Sequence, residues 1–192
     1  MAGAERQFDP YAILAALERN YVDYAVIGGL ARVLRGTFEL TRGVDICPSL
    51  AEDNIERLSQ AVRELESRQR SIDARTLISQ EITSVASGAG EVKLVPAPAG
   101  VPNGFADLRR AATREHLGQG LRPLVASTAD LARMSAALHR EQDVARLPEL
   151  RRIVELEVER ELMPAPPEIR GPSWDRQRAA QHERGRDRGI ER

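Results

Sequence analysis

The chain predicts an α/β fold: a mixed sheet flanked by helices, with a C-terminal helical segment. Three observations predict it. An aromatic and β-branched run, Tyr21 to Ile27, leads straight into Gly28-Gly29 and a helical stretch. A strongly amphipathic helix follows the next short strand, with Ile55, Leu58, Val62 and Leu65 on one face. Strand-like and helix-like segments then keep alternating to about Glu161.

Taken in order, Asp9 and Pro10 suit the cap and first turn of a helix through Arg19, whose Ile13, Leu14 and Leu17 recur at helical spacing. Tyr21 to Ile27 reads as the first strand, and Leu30 to Leu34 as a short helix closed by Gly36. Val44 to Cys47 reads as a second strand stopped by Pro48, and Glu52 to Glu66 as the amphipathic helix. Glu81 to Ala86 and Glu91 to Val95 read as two strands around the turn Ser87-Gly88-Ala89-Gly90. After the loop Ala97 to Gly104 come a helix from Phe105 to Ala112 and a strand from Leu121 to Ala126. Ser127 or Thr128 caps a helix reaching His139. A last helix runs from Gln142 to about Glu161, with a restart expected at Pro148.

This gives an α/β core over residues 1–126, a helical segment over 127–162 and, beyond Met163-Pro-Ala-Pro-Pro, an Arg-rich tail over 163–192. The tail has little apolar material to bury and is expected to be flexible. Its Trp174, with Arg176, Arg178, Arg184 and Arg186, would be the part that docks an RNA or protein partner.

At 42% apolar and 30% charged residues, the composition is that of a globular protein. The formal net charge of −1 gives no global pull toward nucleic acid. Lys93 is the only lysine, so nearly all positive charge is arginine. GC-rich coding produces that bias, and so does bidentate phosphate recognition. Arg109, Arg110, Arg114, Arg133 and Arg140 would either line a cleft or lie solvated on helix faces. The single cysteine, Cys47, excludes an internal disulfide framework and reads as a buried small hydrophobe. No apolar run approaches the length of a membrane span, and the N-terminus lacks a signal-peptide pattern, so the cytoplasm is the expected compartment. His116, His139 and His182 have no metal-ligand spacing.

The chemistry-bearing stretch is YAVIGGLARVLRGTFELTRGVDICPSLAEDN, Tyr24 to Asn54. A Gly-Gly pair between strand and helix lets backbone N–H groups approach a phosphate. A carboxylate on the next strand, Asp45, would hold a metal bridging that phosphate. The stretch resembles the minimal nucleotidyltransferases, small members of the DNA polymerase β-like superfamily. Gly28, Gly29, Ala31, Gly36, Thr41, Asp45 and Asn54 fall at the family's landmarks, and Arg140 and Asp143 match its helical tail, where Ser135 takes the place of a lysine. The resemblance implies phosphate binding by Gly28, Gly29, Arg32 and Thr41, and a magnesium site built on Asp45.

The departures are specific. Gly43 stands at the carboxylate position two before Asp45, Lys93 at the third carboxylate position where relatives resemble V-D-L-L-P, and Glu39 where an arginine is frequent. Two divalent ions beside one carboxylate are under-neutralised, and an ammonium adds repulsion. Lys93 and Asp45 would form a salt bridge in place of the metal; in the competing reading Glu39 or Glu91 serves as substitute ligand. The expectation is a protein that has lost two-metal catalysis, a pseudoenzyme, and binds a nucleotide, an RNA or a protein partner. Two alternatives stay open. One is an active enzyme moving a nucleotide from a nucleoside triphosphate to RNA, protein or a small molecule, with the toxin–antitoxin or defence role known among bacterial relatives. The other is an assembly protein docking through its tail.

Overall fold

In the computed structural model, residues 8–65, 77, 79 and 81–163 are described. The Asp9 carboxylate accepts the Ala12 N–H at 3.0 Å and starts α1, Pro10–Arg19. Its Ile13, Leu14, Ala16 and Leu17 are buried, as their spacing requires. The strand expected from Tyr21 begins later: β1 is Tyr24–Ile27. Tyr21 and Val22 instead close α1, with the Val22 N–H returning to the Leu17 carbonyl at 3.0 Å and Tyr21 left-handed at φ 53°.

α2, Gly28–Leu34, starts directly on Gly28, two residues ahead of expectation, and Gly36 follows it at φ 104°. β2 is Gly43–Pro48 and α3 is Glu52–Glu64. α3 buries Ile55, Leu58, Ala61 and Val62 on its apolar face, and its end is tied to α1 by the Arg19–Glu64 ion pair. β3, Thr83–Ser87, and β4, Gly90–Leu94, form the expected hairpin. The helix expected over Phe105 to Ala112 is only one turn, α4, Phe105–Leu108. Its remainder gives way to an unforeseen edge strand, β5, Thr113–Arg114, which pairs with β6, Leu124–Val125. Arg35 fixes these two short strands: it donates to the Val125 carbonyl at 2.7 Å, the Ala126 carbonyl at 2.9 Å and Glu115 at 2.7 Å. Hydrogen bonds from a distant guanidinium are not a periodic signal, which is why the sequence pattern does not announce them.

Ser127 caps α5, Thr128–Leu138, by accepting the Asp130 N–H at 3.1 Å. The last helix is divided as Pro148 demands, into α6, Glu141–Val144, and α7, Leu147–Leu162, with the proline in the first turn of α7. Chain contacts group Met1–Val158 as one unit and Glu159–Arg192 as another. The tail residues Trp174, Arg176, Arg178, Arg184 and Arg186 lie outside the described residues.

The strands among the described residues make one six-stranded mixed sheet in the order β3-β4-β2-β1-β6-β5. β2 runs antiparallel to β1 and parallel to β4, and β6 runs parallel to β1. Val26, Val44, Ile46, Val92 and Leu94 are buried strand residues of the core. Asn54 joins two parts of that frame: it donates to the Asp23 and Ser49 carbonyls at 2.9 and 2.8 Å and accepts the Asp23 N–H at 2.7 Å. Its landmark position thus has a backbone-fixing role. Among the described residues, no helix is long and apolar enough to cross a membrane.

Candidate functional site

The end of β1, the start of α2 and the first halves of β2 and β4 converge on Asp45. Registry does this. Asp45 faces Ile27 across the antiparallel pair and Lys93 across the parallel one, while Gly43 faces Glu91. Side chains alternate along a strand, so Val44 and Ile46 enter the core while Gly43 and Asp45 share the other face; Glu91 and Lys93 do the same on β4. The sequence-predicted residues Gly28, Gly29, Arg32, Thr41, Gly43, Asp45, Glu91 and Lys93 are therefore brought together around one end of the interior strands β1, β2 and β4.

Gly28 is left-handed at φ 66°, and a Cβ there would fall on the Asp45 carboxylate. Asp45 thus packs directly against the start of α2, where the sequence reading expects a phosphate. A Cβ on Gly29 would meet the Thr41 hydroxyl at 3.2 Å, and that hydroxyl donates to the Gly43 carbonyl at 3.0 Å. Thr41 is thus committed to holding the turn into β2. Gly43 is similarly tight: a Cβ would sit 3.0 Å from the Glu91 carbonyl oxygen. A carboxylate at position 43 therefore requires β4 to yield.

Burial raises the Asp45 pKa above the usual aspartate range. Lys93, Arg32 and the Gly29 N–H pull it back, and Glu91 pushes it further up. The expected Lys93–Asp45 salt bridge is not made. Lys93 stands beside Asp45 in register and its charge acts on the carboxylate, but among the described residues the two make no direct ion pair.

Glu39 is placed otherwise than a substitute ligand requires. Arg32 grips it through Nε at 2.6 Å and Nη2 at 3.0 Å, Arg146 of the α6–α7 turn lies 3.2 Å away, and the Thr37 hydroxyl donates at 3.2 Å. Burial alone would raise the Glu39 pKa, but the hydrogen bonds and charge of Arg32, with Arg146 and Thr37, hold it below the usual glutamate range. Arg32 is thereby committed to Glu39. Arg146 is a residue that the sequence reading missed; it is separated from Glu39 by most of the chain, and no local spacing marks it.

These residues do not fit two divalent ions. Hard cations want several oxygen ligands, and the site offers Asp45 and Glu91 with the Lys93 charge acting on Asp45, while Glu39 is already neutralised. Among the described residues no group of three or more His, Cys, Asp or Glu side chains is placed to hold a metal ion. The six charged side chains named here cancel in formal charge, Asp45, Glu91 and Glu39 against Lys93, Arg32 and Arg146.

No protein-family model and no curated protein matches this chain. Six solved chains match it. They include the solution structure of the antibiotic-resistance factor ANT(2'')-Ia, with 15% identity over 80% of this chain and 95% of that one and a TM-score of 0.43.

Proposed function

We propose that this chain is a nucleotidyltransferase-like scaffold that has given up two-metal catalysis and works by binding a protein partner. The family assignment rests on the motif resemblance of Gly28, Gly29, Thr41, Asp45 and Asn54. The observation that supports the loss of catalysis is the register of β2 with β4, which pairs Lys93 with Asp45, the one carboxylate kept at the three positions where the resembling family carries them. A protein partner is favoured over a nucleotide because the charges at the site cancel while the loop beside it is apolar. Phe38 is 100% and Leu40 98% exposed, and the alternating residues Thr37, Glu39 and Thr41 are turned inward. The Glu39 clamp holds that loop in shape, so the two exposed side chains are presented at little entropic cost. A toxin–antitoxin or defence role enters only through the family resemblance.

The competing reading is an active nucleotidyltransferase, and one observation favours it: Glu91 lies close enough to act on Asp45 and could supply a second carboxylate to one magnesium ion. Calorimetric titration of the full chain with magnesium and each nucleoside triphosphate separates the two. The expected result is no magnesium-dependent binding. Tight nucleotide binding that requires magnesium and is abolished by Asp45→Asn would establish the enzyme instead.

A further inference from the structure

The clamp on Glu39 holds more positive than negative charge. Arg32 of α2 and Arg146 of the α6–α7 turn both reach the one carboxylate, Arg32 at 2.6 and 3.0 Å and Arg146 at 3.2 Å. The Thr37 hydroxyl adds a neutral donor at 3.2 Å. Neither arginine makes another ion pair among the described residues; Asp45 feels the Arg32 charge without pairing with it. Two guanidiniums against one carboxylate leave a positive charge in excess inside the clamp. The side chains of Glu39 and Arg32 are nearly enclosed, at 7 and 11% exposure, whereas Arg146 opens to solvent at 33%. An incoming anion therefore meets Arg146 first.

The loop that delivers Glu39 is held by little else. Of residues 37–42 Thr37 is the one that is buried, and the side chains on either side of Glu39, Phe38 and Leu40, stand in solvent. Among the described residues, the backbone of Phe38 to Thr41 makes a single hydrogen bond, from the Phe38 N–H to the Glu149 carboxylate at 3.4 Å. Moving the loop uncovers little apolar surface, so its main cost is the loss of the Glu39 contacts. An anion that takes over those contacts offsets that loss. A phosphate dianion suits the clamp better than Glu39 does. It matches both guanidiniums in charge, and an arginine fork grips it bidentately as it grips a carboxylate.

We propose that Glu39 is a built-in plug in an anion site formed by Arg32 and Arg146, and that a phosphate dianion displaces it and frees the loop. The inference rests on the reading that Phe38 and Leu40 dock a protein partner. The plugged loop presents them in a fixed shape and the freed loop does not. Phosphate and partner therefore oppose each other, each weakening the other by the same factor.

The test titrates the full chain with inorganic phosphate, phenyl phosphate and acetate, without magnesium, at a pH where both phosphates are dianions. Calorimetry reads the affinity and amide chemical shifts read the loop. Both phosphates are expected to bind saturably and to move the Leu40 and Arg42 amide signals toward their positions in Glu39→Ala, which lacks the plug. Glu39→Ala should bind phosphate roughly tenfold tighter than the parent, and adding Arg146→Gln should cancel most of that gain. Glu39→Gln keeps the side-chain shape, stays readable where Glu39→Ala fails to fold, and should gain less in the same direction. Tighter binding of phenyl phosphate assigns the site to a phosphate monoester, and equal binding to the free ion. Acetate binding as tightly, no gain in a folded Glu39 variant, a gain undiminished by Arg146→Gln, or shifts that miss the loop would overturn the plug. Those outcomes leave the partner reading in place, because that reading falls only to magnesium-dependent nucleotide binding.

Discussion

Two carboxylates of the candidate site are held in opposite ways. Glu39, on the loop after α2, is gripped by Arg32, approached by Arg146 and held below its ordinary pKa. Asp45, on β2, is buried against the Gly28 start of α2, makes no direct ion pair among the described residues and is held above its ordinary pKa. Both positions are ligand candidates on residue type alone. The difference teaches that an acidic side chain in a cleft is a ligand only to the extent that its neighbours leave it uncompensated. Glu39 is spent on tying the loop to α2 and the start of α7. Asp45 is the group under electrostatic tension.

The sharpest way to break this comparison is Gly28→Ala. The added methyl needs both a left-handed backbone and the space of the Asp45 carboxylate. Strain and overpacking together predict a loss of roughly 2–4 kcal/mol in urea unfolding. Gly28→Ala with Asp45→Ala removes the carboxylate but leaves the Cβ of residue 45 at 2.8 Å from the new methyl and leaves the strain, so only a minor part of the loss should return. A single alanine variant as stable as the parent would mean that Asp45 is not seated on the helix start and that a phosphate has room there.

Much of this architecture is legible in the sequence, because it depends on local periodicity. α1, α3, the β3–β4 hairpin and the Ser127 cap follow from spacing and turn chemistry. The end of α1 does not, since a tyrosine stands where glycine would mark the stop and so reads as part of the next strand. β5 and β6 are two residues each, held by one distant arginine, and carry no period. At the site, Gly28, Gly29 and Asp45 are readable as a pattern, and the place of Lys93 beside Asp45 is readable only through the resemblance of Val92 to Pro96 to the third carboxylate strand of the nucleotidyltransferases. The Glu39 clamp is not readable. It is made by residues seven and more than a hundred positions away, across an irregular loop, and residue type alone offers Glu39 equally as a ligand.

Glu39→Gln probes the other half of the comparison. It removes the charge that Arg32 and Arg146 share, and leaves two partly buried guanidiniums facing each other. A partly exposed cluster of this kind predicts a loss of about 1–2 kcal/mol at neutral pH, below what a fully buried pair would give. The folded pKa of Glu39 is lowered, so its stabilisation is present above the ordinary glutamate pKa and lost as pH falls through the folded value. Parent and variant should therefore converge in acid. A stability gap that is the same at acidic and neutral pH would mean that packing, not charge, holds the loop.

Asp45→Asn should have the smallest effect and the opposite sign. The folded pKa of Asp45 is raised, chiefly by burial, so ionising it costs stability. The favourable contribution is present below the ordinary aspartate pKa and lost as pH rises through the higher folded value. Asparagine keeps the shape and removes the charge. The variant should be more stable than the parent at neutral pH, by less than about 1 kcal/mol because Lys93 and Arg32 already offset part of the cost. The gain should vanish in acid, the same direction of convergence as for Glu39→Gln but reached from the other side. Thermal unfolding of both variants across that pH range reads the two carboxylates against each other. A destabilised Asp45→Asn would show that Lys93 closes onto Asp45 as a full ion pair in solution, and the tension assigned to this site would belong to the pair instead.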